Sequence, residues 1–234
     1  MKKFHRIATM AIFLSLFFVI QVYSQQLNYK EVFGNHYQLA EDFITSNTWI
    51  ADTLKSNGID PCTGLAIIFP ELVRYSSIRD KIETAALKSL YIQYGKDYAD
   101  FSIGQFQMKP SFAEEIEKEY IKWKGLPVEG TDTTSCVASR KERIKRLNST
   151  EGQVMYLCMF IKLMKRSLKQ ISLLGKTEEI RLMAAAYNYG FKTDIKTLKE
   201  ISQKRFFYTG IIASETKFNY SDISVGYSIN YCGY

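Results

Sequence analysis

The sequence predicts a mainly α domain carrying one small hairpin or loop element near residues 95–107. Two observations lead there. Segment after segment repeats its apolar residues at helical spacing, and Pro, Asp, Ser, Thr and Gly stand where helices begin and end. A third is the break in that pattern from Gly95 to Gln107, where short aromatic and Gly-containing stretches replace it.

Tyr29 to about Lys55 reads as one or two helices, from Val32, Tyr37, Leu39, Phe43, Ile50 and Leu54. Gly58 then breaks the chain, and Asp60-Pro61 opens the next helix with Asp as N-cap and Pro at the first helical position. That helix is apolar almost all round through Leu65, Ala66, Ile67, Ile68 and Phe69, the pattern of a buried segment. Pro70 is expected to bend or end it. Residues 77–94 form an amphipathic helix whose core set is Ile78, Ile82, Ala85, Ala86, Leu90 and Tyr91. Pro110 opens a helix to about Trp123, and a loop follows over 124–147. Ser149 starts a long apolar helix to about Leu173. Thr177 caps the next one, with Glu178 and Glu179 suited to the helix dipole and Gly190 as its stop. A last helix covers roughly 193–204, and the Tyr-, Ser- and Gly-rich residues 205–234 remain unassigned.

Residues 1–24 read as a signal peptide. Lys2, Lys3 and Arg6 precede an apolar stretch from Ile7 to Val22, and Val22-Tyr23-Ser24 supplies a cleavage point. The stretch is too short to span a bilayer comfortably, so a cleaved leader is expected, with no permanent membrane span and a periplasmic or secreted product. The expected divisions are then a helical extension at 25–57, the main domain at 58–204 and the tail at 205–234. Without the leader the 31 basic residues fall to 28 against 24 acidic ones, a net charge of +4. Part of the excess gathers at Arg140, Lys141, Arg143, Lys145 and Arg146, a run suited to an anionic polymer or to a solvated face. Tyrosine is abundant, 16 in the chain; sugar stacking and core packing account for it equally well.

Four cysteines, Cys62, Cys136, Cys158 and Cys232, suggest disulfides in an exported chain, with three connectivities open. No CxxC occurs, and His36 is the single histidine after the leader. Zinc ligation and Ser-His-Asp or Cys-His catalysis are therefore poorly supplied, and no metal or cofactor is expected. Carboxylate chemistry remains. Glu71 follows the most apolar helix in the chain, where burial would raise its pKa toward what glycosidic proton donation needs. Lysozyme follows the same physics, using a carboxyl in an apolar pocket as its acid.

Three blocks carry a resemblance. Gly58-Ile59-Asp60-Pro61-Cys62-Thr63-Gly64-Leu65-Ala66-Ile67-Ile68-Phe69-Pro70-Glu71 resembles the helix of the soluble lytic transglycosylase family that ends in the catalytic Glu. Gly104-Gln105-Phe106-Gln107-Met108-Lys109-Pro110-Ser111-Phe112-Ala113 resembles its Gly-Leu-Met-Gln-Ile-x-Pro-x-Thr-Ala block, and Ala186-Tyr187-Asn188-Tyr189-Gly190 its Ala-Tyr-Asn-x-Gly block. The blocks stand in the family's order. The resemblance implies an α+β lysozyme-like fold and cleavage of the β-1,4 bond between MurNAc and GlcNAc, with Glu71 as acid and then base. It implies that Tyr187 points its hydroxyl toward Glu71, orienting it or contacting substrate, and that Gln107 contacts substrate; Asn188 either contacts substrate or hydrogen-bonds the helix terminus.

Gly104 allows a turn or close approach beneath a ligand. Asp97 and Asp100 are read as loop residues, Asp100 with a minor claim to water activation. Leu72 stands where the family carries Ser, which leaves Ser76 or Ser77 to replace that hydroxyl.

The expected partner is the peptidoglycan glycan strand, in wall turnover or in opening the wall for an envelope-spanning secretion or conjugation machine. A non-catalytic lysozyme-like module that binds peptidoglycan or scaffolds the envelope is the alternative. Nucleic acid is not expected as a partner of an exported chain.

Overall fold

A computed structural model describes residues 27–75, 77–125, 135–167, 174–211 and 216–234, with 77–84 described by their backbone alone. The leader reading at 1–24 lies outside the described residues, as do Ser76 and the side chain of Ser77. The chain is mainly helical: α1 Tyr29–Phe33, α2 Asn35–Ser46, α3 Trp49–Ser56, α4 Pro61–Arg74, α5 Ser77–Tyr94, α6 Pro110–Lys124, α7 Val137–Leu147, α8 Thr150–Ser167, α9 Lys176–Tyr189, α10 Ile195–Ile201 and α11 Tyr220–Cys232. Among the described residues the extended pairing is limited to two isolated antiparallel bridges, Ile103 with Met108 and Phe207 with Phe218.

Helix α4 is the hub, and its sequence explains why. Asp60 caps it by accepting from the Cys62 and Thr63 N–H groups, and every residue from Cys62 to Val73 is buried. A helix with no polar face must be enclosed by neighbours, and α4 packs against α2, α3, α8, α9 and α11. Gly64 lets α3 come close: a Cβ there would lie 2.6 Å from Leu54 Cδ1. Of the two outcomes expected at Pro70, a bend or an end, the helix does not end there; α4 runs on to Arg74. Proline removes the N–H that would reach the Ala66 carbonyl. The neighbouring Ile67 carbonyl accepts from Tyr220 Oη at 2.9 Å, and packing on all sides holds the remaining turn.

The described residues of the 25–57 and 205–234 segments share the core of the main domain. Phe33, Tyr37, Ile50 and Leu54 join the same apolar cluster as α4, and so do Phe207, Phe218, Tyr220, Ile223 and Tyr227. Helix α11, which the sequence left unassigned, is tied to the start of α4 by the Cys62–Cys232 disulfide, 170 residues apart in sequence. Cys136 and Cys158 are not disulfide-bonded.

Three other expectations change. The segment expected as a loop over 124–147 ends in helix α7. The three arginines of its basic run are used internally, while Lys141 and Lys145 stay exposed: Arg140 donates to the Ile92 and Gln93 carbonyls at the end of α5, fully buried Arg143 reaches Glu117 and Tyr91, and Arg146 reaches Glu117 and Tyr156. In α5, Ala85, Ala86 and Leu90 are exposed and Tyr91 is buried, because α5 meets chiefly α7. The cap of α9 is Gly175 rather than Thr177, while Gly190 ends the helix as expected.

Closing a 170-residue loop should stabilise the fold by about 2–5 kcal/mol. Replacing Cys62 and Cys232 together by Ser should lower the urea midpoint accordingly, and an unchanged midpoint would show that α11 is held by packing alone.

Candidate active site

Glu71 lies on the last full turn of α4, only 4% exposed, at the base of a cleft of about 450 Å³. Because α4 continues past Pro70, Arg74 falls one turn beyond on the same side, the i, i+3 relation of a helix. Its Nη2 stands 2.6 Å from Glu71 Oε2. The approach is close but poorly aligned, so Glu71 Oε2 and Arg74 Nε have no hydrogen-bond partner among the described residues. Arg74 is itself held 5.0 Å above the Phe207 ring. Burial pushes the Glu71 carboxyl up to about 7, against the lowering pull of the Arg74 charge. Desolvation prevails over one misaligned ion pair.

Two buried tyrosines complete the enclosure. Tyr187 and Tyr220 both have phenols raised well above their ordinary value, chiefly by burial and then by the nearby Glu71 charge. Tyr187 donates its hydroxyl hydrogen to the Phe106 carbonyl at 2.8 Å rather than to Glu71. It therefore borders the carboxyl while locking the 103–108 turn to α9.

That turn is set by Gln153 on α8. Its Nε2 donates to the Ile103 and Leu147 carbonyls and its Oε1 accepts from the Phe106 N–H at 2.8 Å. Gly104 sits against this amide with φ +67°, and a Cβ there would come within 1.9 Å of Gln153 Nε2. The close approach that calls for glycine is thus to a side chain of the protein. Gln107, the single described non-glycine residue with positive φ (48°), donates its amide to the Gly104 carbonyl at 2.9 Å. Its side chain lines the cleft while satisfying the turn's backbone.

Asp100, Asn188 and Tyr189 also line the cleft. Asp100 accepts from the Ser111 N–H and hydroxyl at the start of α6 and stands 3.8 Å from Lys109 Nζ. That engagement ties it to the start of α6. Asn188 is half-buried, and Leu72 is buried in the core.

Glu71, Asp100, Gln107, Tyr187 and Asn188 are therefore brought to one cleft, with Gly104 just behind its wall. The sequence reading missed Arg74, Gln153 and Tyr220. Arg74 was findable from its spacing to Glu71; Gln153 and Tyr220 carry no local signal, since their contacts lie far away in sequence. Among the described residues no group of three or more His, Cys, Asp or Glu side chains converges as a metal would need, and no helix is long and apolar enough to cross a membrane. The chain matches no protein-family model, no curated protein and no solved structure.

The raised Glu71 pKa links stability to pH. The folded protein holds this proton more tightly than the unfolded chain, whose ordinary value is 4.5. The stabilisation is full below pH 4.5 and is lost as pH rises to about 7, on the order of 3 kcal/mol in total. Relative to Glu71→Gln, wild type should lose that much across the interval in urea titrations; parallel curves would refute the buried acid. Gly104→Ala should cost about 2 kcal/mol or more, read from the same titrations at one pH.

Proposed function

We propose that the chain is a lysozyme-like lytic transglycosylase or muramidase that cuts the MurNAc–GlcNAc β-1,4 bond of peptidoglycan, with Glu71 as its general acid and base. One observation carries this reading: a buried carboxyl at the base of an open cleft, its pKa raised to about 7. Such a group keeps its proton near neutral pH and still reaches substrate. The three sequence blocks that resemble the soluble lytic transglycosylases supply Glu71, Gln107, Tyr187 and Asn188 to that same cleft.

In the first step protonated Glu71 gives its hydrogen to the bridging oxygen as the bond to C1 breaks, with the MurNAc N-acetyl group assisting. The carboxylate left behind is stabilised by Arg74 Nη2, 2.6 Å away, yet stays basic because it is desolvated. In the second step it takes the proton of the sugar's own C6 hydroxyl, whose oxygen closes on C1, or of a water. The first path yields a 1,6-anhydro end, the second a reducing end. The Cys62–Cys232 disulfide suits an exported protein. It supports a periplasmic or secreted location and a role in wall turnover or in opening the wall for an envelope machine.

The Arg74–Glu71 pair favours a second reading, in which the two charges are structural and the cleft binds glycan without cutting it. Purified sacculi separate the two. Wild type should release soluble muropeptides, Glu71→Gln should release them at least about 100-fold more slowly while remaining folded, and the wild-type rate should fall above pH 7 as Glu71 loses its proton. Strand binding with no release by wild type would leave the binding module.

A further inference from the structure

A second cavity adjoins the Glu71 cleft. Along α6, Phe112 and Glu115 face the cleft, and Glu119, Lys122 and Trp123 face a second cavity of about 560 Å³. Steps of three and four residues keep them on one helix stripe, rising roughly 16 Å from Phe112 to Trp123. The opposite wall is the turn after α9, and Phe191 lines both spaces. The two cavities are therefore neighbours, with Phe191 as their shared wall.

The chemistry changes along it. Trp123 packs edge-on against Tyr120 at 5.4 Å, and the Arg166 guanidinium stands 5.5 Å from the centre of its ring. Both acids of this cavity are engaged: Glu119 faces Lys192 Nζ at 3.4 Å, and Asp194 caps α10 by accepting from the Thr197 N–H and hydroxyl. Lys122 and Arg166 line the same space, are exposed, and pair with no carboxylate among the described residues. The Trp123 ring is thus flanked by Arg166 and by Lys124, whose Nζ lies 4.5 Å from its centre, and cations on this wall that lack an ion pair fit a group bearing a carboxylate.

We infer that the Trp123 cavity holds the acidic peptide arm of a glycan strand whose sugar chain lies in the Glu71 cleft. This rests on the peptidoglycan reading of that cleft. A bare neutral glycan would make no use of Lys122 and Arg166, whereas a peptide arm presents carboxylates to them.

The test uses full-length Glu71→Gln as a non-cleaving binder, titrated by calorimetry with soluble glycan fragments that keep their peptide arms and with fragments stripped of them. The armed fragment should bind about 10-fold more tightly, with a salt dependence the stripped one lacks. Adding Lys122→Ala and Arg166→Ala, both at exposed positions, should erase the preference and leave binding of the stripped fragment within about twofold. Equal binding of the two fragments, or a preference that survives the double substitution, would overturn the inference. If wild type releases muropeptides in either of those cases, the cleft reading stands and only the peptide site fails. If neither fragment binds and sacculi release nothing, both fail together.

Discussion

Enclosure of helix α4 is the constraint from which the rest of the molecule follows. A fourteen-residue helix buried from Cys62 to Val73 cannot rest on a single neighbour. It recruits two helices from before it, α2 and α3, and three from after it, α8, α9 and α11. Gly64 permits the tight approach of α3, and the disulfide holds α11 at the helix start. Glu71 inherits the consequence. It is carried into the core by the apolar residues around it, and its carboxyl opens to solvent only through the cleft. Burial that would be a liability for an arbitrary glutamate becomes the source of a proton held near neutral pH.

The cleft wall is positioned by polar groups used sparingly. Gln153 satisfies two backbone groups of the 103–107 turn and the Leu147 carbonyl at the end of α7, and Tyr187 ties that turn to α9 through the Phe106 carbonyl. The two side chains brace one loop from opposite directions. A fully satisfied network of this kind is rigid, so the position of Gln107 and the mouth of the cleft depend on Gln153 and Tyr187. Arg74 sits at the other edge, held between the Glu71 carboxylate and the Phe207 ring.

Much of this was legible before the fold was known. Asp60-Pro61, Pro110 and Gly190 mark helix ends that the structure keeps, and the apolar run 65–69 foretells the burial of Glu71. The readings that changed share a cause. Pro70 acts as a helix breaker only where the next turn lacks other support, and α4 has packing around it. Arg140, Arg143 and Arg146 look like a surface patch until α5, α6 and α8 close around them with carbonyls, Glu117 and Tyr156. Tyr220 looks like part of a polar tail until its ring meets Phe207 and its hydroxyl meets Ile67.

Local patterns in the chain were enough to establish that it is mainly helical, that α4 is its most buried element and that Glu71 stands at the edge of that burial. Periodicity, caps and apolar runs each act within a few residues. That Tyr220 is buried within reach of the Glu71 charge, and that Gln153 is what Gly104 must make room for, were settled by the closed fold. Those relations join residues far apart in the sequence, through contacts that exist only once the helices have closed around α4.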